Sequence, residues 1–360
     1  MKNKKYINTR LFKISALVTI NILIFLLLFA IIEIGYRIYH DGFSGAFNSV
    51  PYSNLGTSNW VIYDKDLGYR LNPDREKINN LSIKGEEIAI PKPNGLYRII
   101  FLGDSIPWSN PGFVDYTRES LRGKGSFEVI NAGVPGYTSY QEVLFFKRYL
   151  SQTDPDLVIW TYCLNDNHQF LHRFDENARM LLTEEAKESL QINSYWDKLV
   201  SRSYILSLIR FTIISHNKRS NLDNVEYKFI WEKLPDFNIA WKDYSWLGYE
   251  ENLVELKNLL HKRGGKLVIV IFPHETQVLY GLIKKENYDY IVKPQHKLLS
   301  LCKKYAVPCL DLYPSFINEY FQDRRRLFKK DMVHLNKEGH KLATLEISKF
   351  LVEKGLLSRN

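Results

Sequence analysis

The sequence predicts an α/β protein whose central parallel sheet is covered by helices on both faces. Short runs of β-branched and other apolar residues alternate with stretches of helical periodicity, the pattern of parallel strands joined by crossover helices. Two of these runs, 157–160 and 267–272, are apolar at every position, as expected of strands buried on both sides. The predicted strands cover 97–102, 127–131, 157–162, 266–272 and 307–312.

The composition is that of a folded protein with a modest positive charge. The 360 residues are 45% hydrophobic and 14% aromatic, which argues against a disordered chain. Five of the nine excess positive charges precede the first acidic residue, so the rest of the chain carries only +4. The basic run 324–330 is short for a nucleic-acid-binding stripe, so no nucleic-acid partner is expected. We interpret it as solvated surface, with contact to an anionic polymer or lipid headgroup as the alternative.

Residues 1–35 predict a cytoplasmic tail followed by a transmembrane signal anchor. Residues 14–32 carry no charge and would span about 28 Å as a helix, close to the thickness of a bilayer core. A cleaved signal peptide is the alternative, but no small-residue cleavage site follows the apolar stretch. Basic residues precede the segment, so the positive-inside rule predicts a single-pass protein with a cytoplasmic N-terminus. The main body would then be periplasmic or extracellular.

The remainder of the chain divides into an arm and a main domain. Residues 36–96 mix Gly, Pro, Asn and Tyr without a long periodic run, which predicts a linker and then an arm packed on the domain. The domain is expected to cover 97–355. Residues 250–263 alternate apolar and charged residues at helical spacing before Gly264-Gly265, which predicts a crossover helix with a glycine stop.

A long insertion at about 168–248 breaks the strand and helix rhythm. It is longer than an ordinary connection between elements, and such length is typical of a functional element or a subdomain. Its residue pattern predicts helix from residue 175 to about 214. Its tryptophans could line a groove for sugar rings or acyl chains, or could simply pack inside the domain. These residues are Trp196, Trp231, Trp241 and Trp246.

The three cysteines are too few for a disulfide framework. Cys302 and Cys309 could form a disulfide if a helix end approaches the next strand, and two buried free thiols fit the sequence equally well. Cys163 ends an apolar strand, which favours a packing role.

Four short motifs lie just after predicted strands or near the C-terminus. A serine hydroxyl becomes a good nucleophile when a histidine takes its proton and a third group orients that histidine. The carboxyl ends of parallel strands are the place where open α/β folds build their sites. The motifs are Gly103-Asp104-Ser105, Asn131-Ala132-Gly133, Leu164-Asn165-Asp166 and Asp331-x-x-His334.

This ordered set resembles the SGNH (GDSL-type) hydrolases over residues from about 97 to 350. The resemblance implies a three-layer α/β/α, flavodoxin-like fold with Ser105 as nucleophile, His334 as base and Asp331 as the residue that orients His334. The i, i+3 spacing lets the Asp331 carboxylate reach the imidazole. Two upstream stretches further resemble bacterial members with one N-terminal membrane anchor, namely Asp66-Leu67-Gly68-Tyr69-Arg70 and Tyr97-Arg98-Ile99-Ile100.

The resemblance also implies an oxyanion hole made of the N–H groups of Ser105 and Gly133 and the side-chain amide of Asn165. Each residue has a structural alternative: Ser105 and Asn165 could cap helices, and Gly133 could permit a tight turn. Cys163 replaces the glycine that is common in the third motif, which affects the expected pocket shape more than the chemistry. The absence of Gly-x-Ser-x-Gly argues against an α/β-hydrolase.

No cofactor and no metal are expected. His168 and His172 are four residues apart and could share a helix face, but no third and fourth ligand can be identified. The motif Pro273-His274-Glu275-Thr276-Gln277 follows an apolar strand and could contact substrate, or could be only a polar loop. No other substrate-binding residue can be assigned.

These observations predict a membrane-anchored serine esterase that removes acyl groups, with O-acetyl as the leading case, from an envelope carbohydrate through an acyl-enzyme. An O-acyltransferase to a polysaccharide and a lysophospholipase-type esterase are the enzyme alternatives. A glycan-binding assembly protein with the same fold is the alternative from a different class. The expected partners are an acylated carbohydrate or lipid substrate and, through the N-terminal helix, the membrane.

Overall fold

The computed structural model describes residues 2–45, 60–170, 172–174, 180–182, 203, 205, 206, 209, 235–323 and 326–358. Within these residues the strands are β1 (Val61–Ile62), β2 (Arg70–Leu71), β3 (Tyr97–Gly103), β4 (Phe127–Gly133), β5 (Leu157–Tyr162), β6 (His172–Phe174), β7 (Met180–Leu182), β8 (Lys266–Ile271) and β9 (Cys309–Asp311). The α-helices are α1 (Lys2–Gly45), α2 (Ser105–Trp108), α3 (Phe113–Leu121), α4 (Ser139–Phe145), α5 (Pro235–Asn238), α6 (Ser245–His261), α7 (Glu275–Ile283), α8 (Tyr288–Ile291), α9 (Lys293–Lys304), α10 (Tyr313–Asp323) and α11 (Lys337–Glu353).

Five parallel strands form the central sheet in the order β4-β3-β5-β8-β9. Renumbered along the chain within this sheet, the order is 2-1-3-4-5, which is the flavodoxin-like arrangement. In such a sheet the crossover direction reverses between the first and third strands, here β3 and β5. The reversal opens a crevice at their carboxyl ends, and Ser105 and Asn165 follow these two strands.

Helices bury both faces of the sheet, as the apolar strands predict. On one face, the ring of Trp160 in β5 stacks on Tyr249 of α6, with ring centres 5.0 Å apart. On the other face, Phe101 of β3 meets Phe113 of α3 edge to face at 5.7 Å. All residues of β3 and β5 are buried. The three-layer α/β/α fold predicted from the sequence is confirmed.

Helix α1 contains one stretch, Lys13–Tyr39, that is long and apolar enough to cross a membrane, and none of it is buried against the rest of the protein. The length and composition of this stretch fit a membrane anchor or a signal sequence. The predicted apolar N-terminal helix is therefore present.

The arm before the sheet packs on the loop that follows β4. The Tyr69 hydroxyl donates to the Pro135 carbonyl at 2.7 Å, and the Tyr137 hydroxyl donates back to the Tyr69 carbonyl at 2.7 Å. The Gln141 side-chain amide donates to the Leu67 carbonyl at 2.8 Å. These buried bonds fix the loop after β4 from outside the sheet.

One fully buried cation ties the arm to the sheet. The Arg98 guanidinium forms an ion pair with Glu128 and donates to the carbonyls of Thr153 and Ala89. A buried charge is tolerated when it is paired and its N–H groups are satisfied, as they are here.

The expectation of helix from residue 175 is wrong at Met180–Leu182, which pairs as the antiparallel strand β7 with β6. Local hairpin pairing satisfies these backbone groups and overrides the helical pattern. Residues 203, 205, 206 and 209 are described within the rest of the predicted helix, and its other residues lie outside the described part. His168 lies in the turn after β5 and His172 begins β6, so these histidines do not share a helix face.

Trp241 and Trp246 pack inside the domain rather than lining an open groove. Both are buried, and their indole N–H groups donate to the carbonyls of Tyr290 and Ala240 at 2.7 and 2.9 Å. Trp196 and Trp231 lie outside the described residues.

The last strand of the sheet is shorter than the sequence predicts. It begins at Cys309 rather than at residue 307, because Pro308 has no N–H for the ladder and only its carbonyl bonds to β8. The three cysteines, Cys163, Cys302 and Cys309, are free thiols in this structure.

Candidate active site

The first motif forms a tight strand-to-helix turn at the carboxyl end of β3. Asp104 caps α2, because one of its carboxylate oxygens accepts the Ile106 N–H at 2.8 Å. Ser105 is the first residue of α2 rather than its cap, so its hydroxyl is available to other groups. Burial raises the pKa of the Asp104 carboxyl, although bonds from Ile106 and Asn165 oppose this effect.

Close packing holds the turn against β4. A Cβ atom on Gly133 would lie 2.7 Å from the Pro107 side chain and 2.9 Å from the Asp104 carbonyl oxygen. Only glycine therefore allows the end of β4 to contact the turn that carries Ser105. The second motif thus has a structural role that spacing alone did not reveal.

The fourth motif places a histidine and a carboxylate beside Ser105. The Nε2 atom of His334 lies 2.8 Å from the Ser105 hydroxyl oxygen, and Nδ1 lies 3.0 Å from a carboxylate oxygen of Asp331. A carboxylate only accepts hydrogen bonds, so Nδ1 carries the proton and Nε2 accepts from the hydroxyl. The structure brings the three residues into one hydrogen-bonded chain.

Asp331 and His334 lie in an irregular turn rather than on a helix or strand. Met332, between them, has φ +66°, a left-handed conformation that is costly for a side chain of its size. The other Asp331 oxygen accepts the N–H groups of Val333 and His334 at 3.0 and 2.9 Å. The aspartate therefore fixes the backbone of the turn as well as the imidazole.

The Asp331 carboxyl has a pKa of about 2. Partial burial alone would raise its pKa, but the bonds from the His334 ring and from the two backbone N–H groups outweigh burial and lower it from 3.8. Asp331 is therefore ionised over the whole neutral range, as its place next to His334 requires.

We predict an acid-dependent contribution of Asp331 to stability. Because the folded pKa is below the unfolded value, this contribution is complete above about pH 3.8 and is lost as the pH falls toward 2. The difference in free energy of unfolding between the wild type and Asp331→Asn should be constant above pH 4 and should shrink below it. Urea unfolding across this range measures it, and a difference that grows on acidification would contradict the assignment.

Asn165, from the third motif, lies across the crevice from β3. Its side-chain NH₂ group donates to the second carboxylate oxygen of Asp104 at 3.1 Å, rather than capping a helix. An amide NH₂ has two N–H groups, so one donor remains beyond this bond. Asp104 therefore orients both the Ser105 turn and the Asn165 amide.

The Gly133 N–H is already occupied, because it donates to the side-chain oxygen of Asn131 at 3.0 Å. Gly136, which we did not single out from the sequence, lies in the next turn with φ +79° and follows Pro135. Its N–H donates to no protein group in the described part of the chain. The sequence signal for this free donor is the Pro135-Gly136 pair, which is typical of a type II turn. In such a turn the N–H of the central peptide makes no bond within the turn.

Two more acids are buried beside Asp104. Burial and mutual repulsion raise the pKa values of Glu142 and Asp166 well above the ordinary range. The Trp160 indole N–H donates to Glu142 at 2.6 Å, and the Cys163 N–H donates to Asp166 at 2.8 Å. Asp166 therefore shapes the turn that carries Asn165.

The described residues include no group of three or more His, Cys, Asp and Glu side chains arranged to hold a metal ion. In the motif at 273–277, the imidazole accepts the Thr276 N–H at 3.2 Å and the Glu275 carboxylate pairs with Arg326. His274 and Glu275 are buried, and His274 caps α7.

Comparison with known proteins gives the family. The family model described as "GDSL-like Lipase/Acylhydrolase family" matches residues 101–342, which include all four motifs. No curated protein matches the chain.

Solved structures similar to this chain include the acetyl xylan esterase AlAXEase, with 16% identity over 70% of this chain and 98% of that one, at a TM-score of 0.43. A lipase/acylhydrolase from Enterococcus faecalis has 15% identity over 74% and 99% of the two chains, at 0.41. A mutant of Axe2, an acetylxylan esterase from Geobacillus stearothermophilus, has 13% identity over 71% and 94%, at 0.43.

The family match covers two thirds of the sequence and begins within β3, just before the turn that carries Ser105. It confirms the resemblance that the four ordered motifs predicted. The chain belongs to the GDSL-like lipase/acylhydrolase family and is a hydrolase that acts on ester bonds.

Proposed function

We propose that this protein is a membrane-anchored serine esterase that removes short acyl groups, with O-acetyl as the leading case, from an envelope carbohydrate. The observation that carries the proposal is the hydrogen-bonded chain from Asp331 through His334 to Ser105, with distances of 3.0 and 2.8 Å. It lies at the carboxyl end of the sheet, beside the crevice between β3 and β5.

In this proposal the Ser105 oxygen attacks the ester carbonyl while His334 Nε2 takes the hydroxyl proton. Asp331 accepts from Nδ1–H and stabilises the imidazolium that forms. His334 then returns the proton to the departing alcohol, which leaves an acyl group on Ser105. A water molecule, activated by the same histidine, releases the acid and restores the serine.

The negative oxygen of the tetrahedral intermediate requires fixed donors. We assign the Ser105 N–H, the second N–H of the Asn165 amide, and one backbone N–H from the end of β4 or the loop after it. Gly133 can serve only if its bond to Asn131 breaks, whereas the Gly136 N–H makes no such bond. An anion competes well for a backbone donor, so both glycines are compatible with the proposal.

The open setting of the site supports a short acyl group on a large carrier. The His334 and Asp331 side chains are 31% and 41% exposed, so a bulky substrate can reach them. A short acyl group needs no deep apolar cavity, so it fits this exposed setting.

An aromatic ring near Ser105 supports a sugar as carrier. Trp108 lies one turn after Ser105 in α2 and is half-buried, with the Lys84 amine 4.8 Å from its ring centre. A ring with polar neighbours suits the mixed apolar and hydroxyl surface of a carbohydrate. The first turns of helix α1 carry basic residues and its apolar stretch follows them, which supports a cytoplasmic N-terminus and a hydrolase domain outside the cytoplasm.

Acyl-chain selectivity tests the proposal. Full-length protein in detergent should hydrolyse aryl acetate with at least about tenfold higher kcat/KM than aryl octanoate, a difference of about 1.4 kcal/mol in transition-state binding. It should also release acetate from an acetylated polysaccharide. A preference for octanoate, or turnover of lysophospholipid, would favour the lysophospholipase alternative. Acetyl transfer to an added oligosaccharide, detected by mass spectrometry, would favour the acyltransferase.

A further inference from the structure

The turn that carries Asp331 and His334 needs support from outside itself. From Arg326 to Asn336 the chain forms no helix and only one isolated bridge, between Phe328 and Leu335. Asp331 and His334 lie at its tip, where both are partly exposed. The strained φ of Met332 persists only if neighbouring contacts hold it.

Glu275, the first residue of α7, holds the centre of this turn through its backbone. Its N–H donates to the Met332 carbonyl at 2.9 Å. Met332 lies between Asp331 and His334 in sequence, so this bond fixes the peptide that connects them. The first turn of a helix has N–H groups without helical partners, which explains why this donor is free for the loop.

The Glu275 side chain holds the same turn by a second route. Its carboxylate, 5% exposed, accepts two parallel bonds from the Arg326 guanidinium, each 3.0 Å long. One Arg326 nitrogen also donates to the Lys329 carbonyl at 3.0 Å. The Tyr320 hydroxyl donates to Glu275 at 2.6 Å and completes the set. Glu275 therefore contacts the segment at 332 directly and at 329 through Arg326.

This network continues to His334. The Lys329 N–H donates to the His334 carbonyl at 2.7 Å, so Lys329 is fixed on one side by Arg326 and on the other by the histidine itself. The two-pronged geometry needs a planar guanidinium, which lysine cannot supply.

We propose that Glu275 and Arg326 are positioning residues that hold the Asp331–His334 turn in reach of Ser105. The inference rests on the proposed function, because it assigns these residues to the orientation of the base. It also gives the motif at 273–277 a role other than contact with substrate. The competing interpretation is an ion pair, buried only on the Glu275 side, that stabilises the fold and leaves the geometry of the turn unchanged.

Glu275→Gln and Arg326→Lys test the proposal in the full-length protein. Gln keeps the volume of Glu275 and its main-chain N–H but removes the charge, and Lys keeps the charge of Arg326 but removes the fork. A displacement of about 1 Å at a reacting group can cost 100-fold in rate, so we expect kcat for aryl acetate to fall about 10- to 100-fold. KM should change less than about threefold, because neither residue contacts substrate. If the two residues act as one unit, kcat of the double variant should be no lower than kcat of the slower single variant.

Arg118→Lys is the matched control. The Arg118 side chain is 44% exposed against 43% for Arg326, pairs with Asp115, and donates to the Val129 carbonyl, but does not contact the turn. Arg118→Lys should leave kcat within about twofold of the wild-type value, because Arg118 makes the same kinds of bond as Arg326 but away from the turn.

Amide hydrogen exchange, read by mass spectrometry, gives a readout independent of turnover. In both variants exchange should accelerate in 326–336 and stay unchanged in 97–103. Unchanged kcat with a lowered urea midpoint, or with faster exchange, would overturn the positioning role and leave a structural ion pair. If the wild type hydrolyses no ester, the proposed function fails. The exchange data then decide whether Glu275 and Arg326 hold the turn.

Discussion

Replacement of Ser105 by alanine is expected to lower kcat/KM for aryl acetate by at least about three orders of magnitude. Alanine removes the oxygen that lies 2.8 Å from His334 Nε2 and leaves the backbone N–H in place. The residual rate should come from the oxyanion donors and from substrate binding alone. Steady-state kinetics of the full-length protein measure this loss.

Ser358→Ala is the control, because Ser358 is exposed near the C-terminus, remote in sequence from the four motifs. Its kcat/KM should equal that of the wild type. A folded Ser105→Ala protein that kept a tenth or more of the wild-type rate would contradict the nucleophile assignment.

Replacement of His334 by alanine is expected to have an effect of similar size. Without the imidazole, no group takes the hydroxyl proton, and Asp331 loses the partner that lowers its pKa. Because Ser105 and His334 act as one unit, the double variant Ser105→Ala/His334→Ala should be no slower than the worse single variant.

His261→Ala, which removes an exposed histidine in the last turn of α6, is the control and should retain full activity. Additive losses in the double variant would mean that the two residues act in separate steps. Such a result would contradict the hydrogen-bonded chain as the functional unit.

The fold was predictable because its signals are local. Strands buried on both faces carry apolar residues at every position, so 157–162 matches β5 residue for residue. The hairpin of β6 and β7 was not predictable, because short apolar runs such as Met180–Leu182 fit a helix as well as a strand. Pairing with a neighbouring strand decides between the two, and a single run carries no information on its partner.

Some residues of the site were predictable from the sequence, whereas the contacts that support them were not. Ser105, Asp331 and His334 stand in recognisable motifs, and the structure brings them together. The occupied N–H of Gly133 depends on the rotamer of Asn131, which no spacing reveals. In the sequence Glu275 is only one residue of a polar stretch, because its contacts with Arg326 span 51 positions. Long-range support of a functional turn leaves no periodic trace in the sequence.

The assignment of Ser105 as an activated nucleophile is tested most directly by a serine-directed fluorophosphonate on the full-length protein. Peptide mass spectrometry should find the label on the Ser105 hydroxyl alone, with no labelling of Ser105→Ala and much slower labelling of His334→Ala. A folded, unlabelled wild type, or a label on a different residue, would contradict the proposed mechanism.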